Sequence, residues 1–131
     1  MKLIYLPFFI ILYIIPSISF TDPIDNVADL IRHGNIHELA KLFAPTVEIT
    51  LLTEENSYTK AQAELVLDKF FTENKPKSVV LLHKVNSNAN YSLGVLILTA
   101  DKSIFRISYT LKEVSGTFTI IELRVEAETV K

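Results

Sequence analysis

Between Tyr91 and Val125 the chain alternates apolar and polar residues so regularly that few folds can accommodate it. Phe105, Ile107, Tyr109 and Leu111 interleave with Arg106, Ser108, Thr110 and Lys112. Successive strand side chains point to opposite faces, so this pattern is a strand with one buried face. Val114-Ser115-Gly116-Thr117 follows as a tight hairpin turn, with Gly116 supplying a positive φ. The next strand starts with Phe118 and Ile120 inside, then changes phase to Ile121, Leu123 and Val125. A one-residue phase change is what a β-bulge produces. A bulge opposite Leu111 sets Thr110 across from Glu122, Ser108 from Arg124 and Arg106 from Glu126, so the polar faces coincide. Upstream, a two-residue turn at Asp101-Lys102 puts Leu98 opposite Phe105 and Leu96 opposite Ile107. Ser92, Gly94, Leu96 and Leu98 then face inward, and Tyr91, Leu93, Val95 and Ile97 are left outside.

Local signals order the rest of the domain. Asp22 caps a helix with Pro23 in its first turn, and Ile24, Val27, Ala28 and Ile31 form its apolar stripe. Gly34 closes it. Asn35, with Glu38 three residues on, opens a second helix that buries Ile36, Leu39, Ala40 and Phe43 and ends at Pro45. Thr46 to Leu52 alternates as a strand. Thr53 to Asn56 is a turn, and Ser57-Tyr58 a very short returning strand. Thr59 with Gln62 is a capping box for a third helix reaching about Thr72, with Ala63, Val66, Leu67, Phe70 and Phe71 as its stripe. Ser78 to Val85 is a strand, and residues 86–90 form the loop into the frame.

The chain has 131 residues, a net charge of −2 and no cysteine. These values fit one domain, offer no basic tract for nucleic acid, and exclude disulfides and thiol chemistry. Met1-Lys2, the apolar run from Leu3 to Ile15 and the small residues Ser17 and Ser19 have the form of a secretory signal peptide cut after Ser19. The expected organisation is a signal peptide over 1–19 and one α+β domain over 20–131. The expected location is periplasmic or secreted, without a stable membrane anchor after cleavage.

Gly34-Asn35 ahead of Leu39-Ala40-Lys41-Leu42-Phe43-Ala44-Pro45, then Tyr58 to Ala63, Pro76-Lys77-Ser78, Phe105-Arg106-Ile107 and Leu123-Arg124-Val125-Glu126, carry a family resemblance. The chain resembles the nuclear transport factor 2-like superfamily, also called SnoaL-like or cystatin-like. Within it, the chain looks like the secreted bacterial domain-of-unknown-function family DUF4783. The resemblance implies a cone-shaped α+β fold, a curved antiparallel sheet packed on three helices from the first half of the chain. It also implies a pocket in the cone and a dimer. Fold alone assigns no activity, because the superfamily hosts enzymes and non-catalytic modules alike.

The strands carry few acids at inward positions. Glu48, Glu122 and Glu126 read as outward-facing, with Arg106 and Arg124 beside the latter two. His33 and His37 have a chelating spacing, but a helix break stands between them, so no metal site is assigned. His83 lacks an evident carboxylate to orient it. Neither a phosphate loop nor a serine-nucleophile motif occurs, and no cofactor is expected. Asn90-Tyr91-Ser92 fits a glycosylation sequon, of consequence only in a eukaryotic secretory pathway. Phe43, Tyr58, Phe70, Phe105 and Tyr109 lie on inward faces of several elements. They serve as plain core or as the lining of an apolar ligand pocket. A five-residue loop at 86–90 pairs Val79, Leu81, His83 and Val85 with Ile97, Val95, Leu93 and Tyr91. That register makes Val79, Leu81, His83, Tyr91, Leu93, Val95 and Ile97 an outer patch suited to a homodimer. The function expected is non-catalytic binding of a small apolar ligand or a protein partner. The alternative is an isomerase or dehydratase using a group in the cone, such as His83 with Tyr109.

Overall fold

The computed structural model describes residues 22–87 and 90–128; the expected signal peptide lies outside them. Among the described residues the element order is α1 (Pro23–Arg32), α2 (Ile36–Ala40), β1 (Phe43–Leu51), β2 (Glu54–Thr59), α3 (Lys60–Glu73), β3 (Ser78–Asn86), β4 (Tyr91–Thr99), β5 (Ile104–Val114) and β6 (Thr117–Ala127). The strands form one open curved sheet in the order β2-β1-β6-β5-β4-β3. The fold is α+β and nuclear transport factor 2-like.

Helix ends follow local chemistry. The Asp22 carboxylate accepts the Ile24 N–H at 2.8 Å, and Pro23 fills the first turn, where its missing N–H costs nothing. Gly34, at φ +65°, takes the left-handed position just past the end of α1. Thr59 and Gln62 form the reciprocal capping box of α3, each accepting the other's backbone N–H. The stripes Ile24, Val27, Ala28, Ile31 and Ala63, Leu67, Phe70, Phe71 are buried on the sheet.

The frame has the expected register. Leu98 pairs with Phe105 and Leu96 with Ile107. Thr110 pairs with Glu122, Ser108 with Arg124 and Arg106 with Glu126, and the bulge falls between the Thr110–Glu122 and Leu111–Ile120 pairs. Ser115 and Gly116 turn the hairpin at φ +53° and +81°.

Elsewhere the structure corrects the sequence reading. The sheet is mixed, because β1 and β6 run parallel. Phe43 belongs to β1, where it pairs with Ile120. Pro45 lies inside that strand, in the irregular stretch between Phe43 and Glu48, where a missing N–H is tolerated. The β1–β2 turn is Leu52-Thr53, with Leu52 at φ +62°, and β2 is six residues long.

The last correction concerns β3. His83 pairs with Val95 and Val85 with Leu93, each two residues further along β4 than the expected Leu93 and Tyr91, because β3 continues to Asn86 and pairs it with Ser92. Across an irregularity at Leu82 the register changes to Leu81–Leu96, Val80–Ile97 and Val79–Leu98. Val79 and Leu81 therefore lie on the helix-covered face, where Val79 is buried and Leu81 packs against the core. Val80 takes the outer position expected of Val79.

Candidate functional site

The five aromatic residues on inward faces do not converge on one cavity. Phe43 and Tyr109 are fully buried in the core, and Tyr58 is half-buried on β2. Tyr109 spans the sheet–helix interface. Its hydroxyl donates to the Ile24 carbonyl of α1 at 2.7 Å. Its ring lies over Gly94, the residue it pairs with on β4. A Cβ at position 94 would stand 2.6 Å from the Tyr109 ring and 2.8 Å from Ile24. Burial first, and then the Asp25 and Asp22 carboxylates, push the phenol well above its ordinary range. Tyr109 is thus a neutral, hydrogen-bonded core residue. His83 is exposed on β3 and pairs with outward-facing Val95. The two stand on opposite faces and form no acid–base pair.

Phe70 and Phe105 do meet. Their ring centroids are 5.1 Å apart at 69°, and Phe71 meets Phe70 edge-on at 5.2 Å. The Phe70–Phe105 pair borders an open groove of about 710 Å³. It lies at the end of the sheet where Leu98, Phe105 and Ala127 align across β4, β5 and β6. Leu52, Ala100, Ile104 and Ala127 extend the apolar lining, and Asn74, Asp101, Lys102 and Glu128 contribute polar groups. A second cleft continues past Phe70 along Leu51 and Val66.

The groove's polar groups are mostly engaged. The Asn74 side-chain amide donates to the Phe70 carbonyl at 3.0 Å, closing α3. Asp101 is paired with Lys77 at 2.5 Å, and Glu128 with Arg106 at 3.2 Å. These pairs raise the pKa of Lys77 and Arg106, in each case first through the hydrogen bond and then through charge attraction. Lys102 has no ion-pair partner among the described residues. Sequence reasoning identified Phe70 and Phe105 from their alternating or helical stripes. It missed Leu52, Ile104 and Ala127, which sit at strand ends where no periodicity marks them.

The outer sheet face divides in two. Over β3 and β4 it is apolar: Val80, Leu82, Val85 and Tyr91 are exposed, and Leu93, Val95 and Ile97 are half-buried. Over β5 and β6 it carries Arg106, Arg124, Glu122 and Glu126, with Arg124 3.8 Å from Glu122 and 3.9 Å from Glu126. His33 and His37 are separately engaged, Nδ1 of His33 2.8 Å from the Asp29 carbonyl and Nδ1 of His37 2.9 Å from Glu64. Among the described residues no group of His, Cys, Asp or Glu could hold a metal ion, and no helix is long and apolar enough to cross a membrane.

Comparisons with known proteins bear on the fold and the family. A search of curated proteins returns no match. Among solved structures, a DUF4783 family protein from Bacteroides uniformis superposes with a TM-score of 0.77 at 20% identity, covering 83% of this chain and 100% of its own. Another, from Bacteroides fragilis, gives 0.73 at 24% identity, covering 78% and 95%. An NTF2-like designed protein gives 0.61 at 15% identity, covering 78% and 91%. The family model for the domain of unknown function DUF4783 matches residues 24–126, so the chain belongs to the DUF4783 family.

Proposed function

We propose that this domain is an exported, non-catalytic binding module whose ligand site is the groove bordered by Phe70 and Phe105. The observation that carries the reading is that groove of about 710 Å³, with an aromatic pair beside it and ion-paired acids around it. Volumes of roughly 300–1,000 Å³ with mostly apolar walls suit small molecules. Export rests on the form of residues 1–19. Native mass spectrometry of protein purified from its own host tests the site. The expected result is a co-purified small apolar molecule, lost in Ala127→Trp, which covers Phe105 from its exposed strand partner. An unliganded protein that also fails to bind Nile red saturably overturns the reading.

The same reading includes a homodimer through the apolar half of the outer face. Monomers rarely expose apolar patches beyond a few hundred Å². The described helices all pack on the other face, so a second copy is the simplest cover. The corrected patch is Val80, Leu82, His83, Val85, Tyr91, Leu93, Val95 and Ile97, without Val79 and Leu81.

A further inference from the structure

The charges around the groove are unevenly satisfied, and this narrows the kind of molecule it takes. Asp101 and Glu128 are already neutralised by Lys77 and Arg106. Lys102, in the two-residue turn between β4 and β5, borders the same groove and has no ion-pair partner among the described residues. Further out, Glu73 and Lys75 flank Asn74 and oppose each other in sign. The cleft that continues past Phe70 holds Lys69 together with the same Glu73, so two ammonium groups, Lys69 and Lys75, stand against that one carboxylate. The charge left over beside the apolar lining is therefore positive. The apolar wall runs from Leu51 and Val66 past Phe70 to Ile104 and Ala127, and Lys102 stands at its β4–β5 border.

We propose that the groove binds an amphipathic monocarboxylate, with an acyl chain along Phe70 and Phe105 and the carboxylate on Lys102. This inference rests on the groove being the ligand site. A single ammonium can reward an anionic head group, and the open apolar wall rewards chain length at about fourfold in affinity per fully buried methylene. A neutral ligand would leave Lys102 without a counterion, and a cationic one would be repelled by it. The contribution of Lys102 is modest, because it is solvent-exposed.

Calorimetric titration of the purified domain with decanoate, decan-1-ol and decyltrimethylammonium, each below its micelle concentration, tests this. Backbone amide NMR shifts at Ala100, Ile104 and Ala127 report the location. Decanoate should bind roughly fivefold more tightly than decan-1-ol, and the cation most weakly. Lys102→Glu should abolish the preference for decanoate while leaving decan-1-ol unchanged. Lys112→Glu, whose ammonium lies 5.8 Å over the Tyr91 ring at the far end of β5, should keep it. Equal binding of decanoate and decan-1-ol, unaffected by Lys102→Glu, overturns the head-group assignment and leaves the groove as an apolar site. Tighter binding of the cation overturns it as well. Absence of shifts at the three reporter amides with every ligand overturns both this inference and the groove reading beneath it.

Discussion

At the level of single residues the domain depends on the contact of Tyr109 with Gly94 and Ile24. Strand alternation already put Tyr109 inside and Gly94 opposite it. Its acceptor was not legible, because a hydroxyl donating to a backbone carbonyl on a distant helix leaves no pattern in side chains. The contact makes position 94 intolerant. In Gly94→Ala the new methyl meets the ring of Tyr109 and Ile24 at under 3 Å, and both are buried among other core groups. A loss of about 1–3 kcal/mol in urea denaturation is expected; an unchanged midpoint would show that the ring can move aside freely. Tyr109→Phe should cost about 1 kcal/mol near neutral pH through the lost hydrogen bond. The pH dependence has a definite sign. The folded phenol is held above its ordinary pKa of 10.0, so the folded state keeps a proton that the unfolded chain releases. Tyr109 therefore contributes in full below pH 10 and progressively less as pH rises beyond it. The stability gap between wild type and Tyr109→Phe should narrow in alkaline denaturation series, and a gap that widens would contradict this account.

Elements were legible where residue chemistry changes sharply, and illegible where it does not. In β6 the switch from Ile120 to Ile121, Leu123 and Val125 announces a bulge, because the polar partners switch phase with it. In β3 the run Val79-Val80-Leu81-Leu82 is apolar at every position, so neither face nor register can be read from it. The irregularity at Leu82 then moves Val79 and Leu81 inward and Val80 outward. Parallel pairing of β1 with β6 was hidden for another reason, since pairing between strands remote in sequence has no local signal. Groove residues divide the same way. Phe70 and Phe105 sit on periodic stripes, whereas Leu52 and Ala127 are near the groove only because β1 and β6 end together. The β5–β6 hairpin allows a clean test of local chemistry. Ser115 and Gly116 both have positive φ, the arrangement that favours Asn-Gly. Ser115→Asn should raise stability by about 0.5 kcal/mol. Gly116→Ala should lower it by roughly 1 kcal/mol, although nothing lies within 4 Å of the added methyl. Thermal melts in which both substitutions are neutral would mean that this turn does not contribute to the cooperative unit.

The whole molecule has one sheet face covered by helices and one left bare, and the bare face is chemically divided. Its β5–β6 half sets Arg106 and Arg124 among Glu122, Glu126 and Glu128, a ladder loosely spaced and exposed enough to contribute little. Its β3–β4 half presents mainly aliphatic side chains, with Tyr91 and His83 and, at one end, the Ser78–Thr99 pair. If the proposed two-fold contact uses the apolar half, association should persist in high salt, which screens exposed charge pairs. It should fail when one charge is placed in the centre of the patch. Val95→Glu puts that charge on a central strand, and Val80→Glu puts it on the edge strand beside Ile97. Both side chains point outward, so each variant should remain folded by circular dichroism while light scattering reports a monomer. Arg124→Ala should leave the dimer intact, since it removes a charge from the other half. The opposite pattern, salt-sensitive association lost in Arg124→Ala and retained in Val95→Glu, would move the interface to the charge ladder. A wild-type monomer at micromolar concentration would leave the apolar half bare in solution and end the dimer proposal, without touching the groove on the opposite side of the sheet.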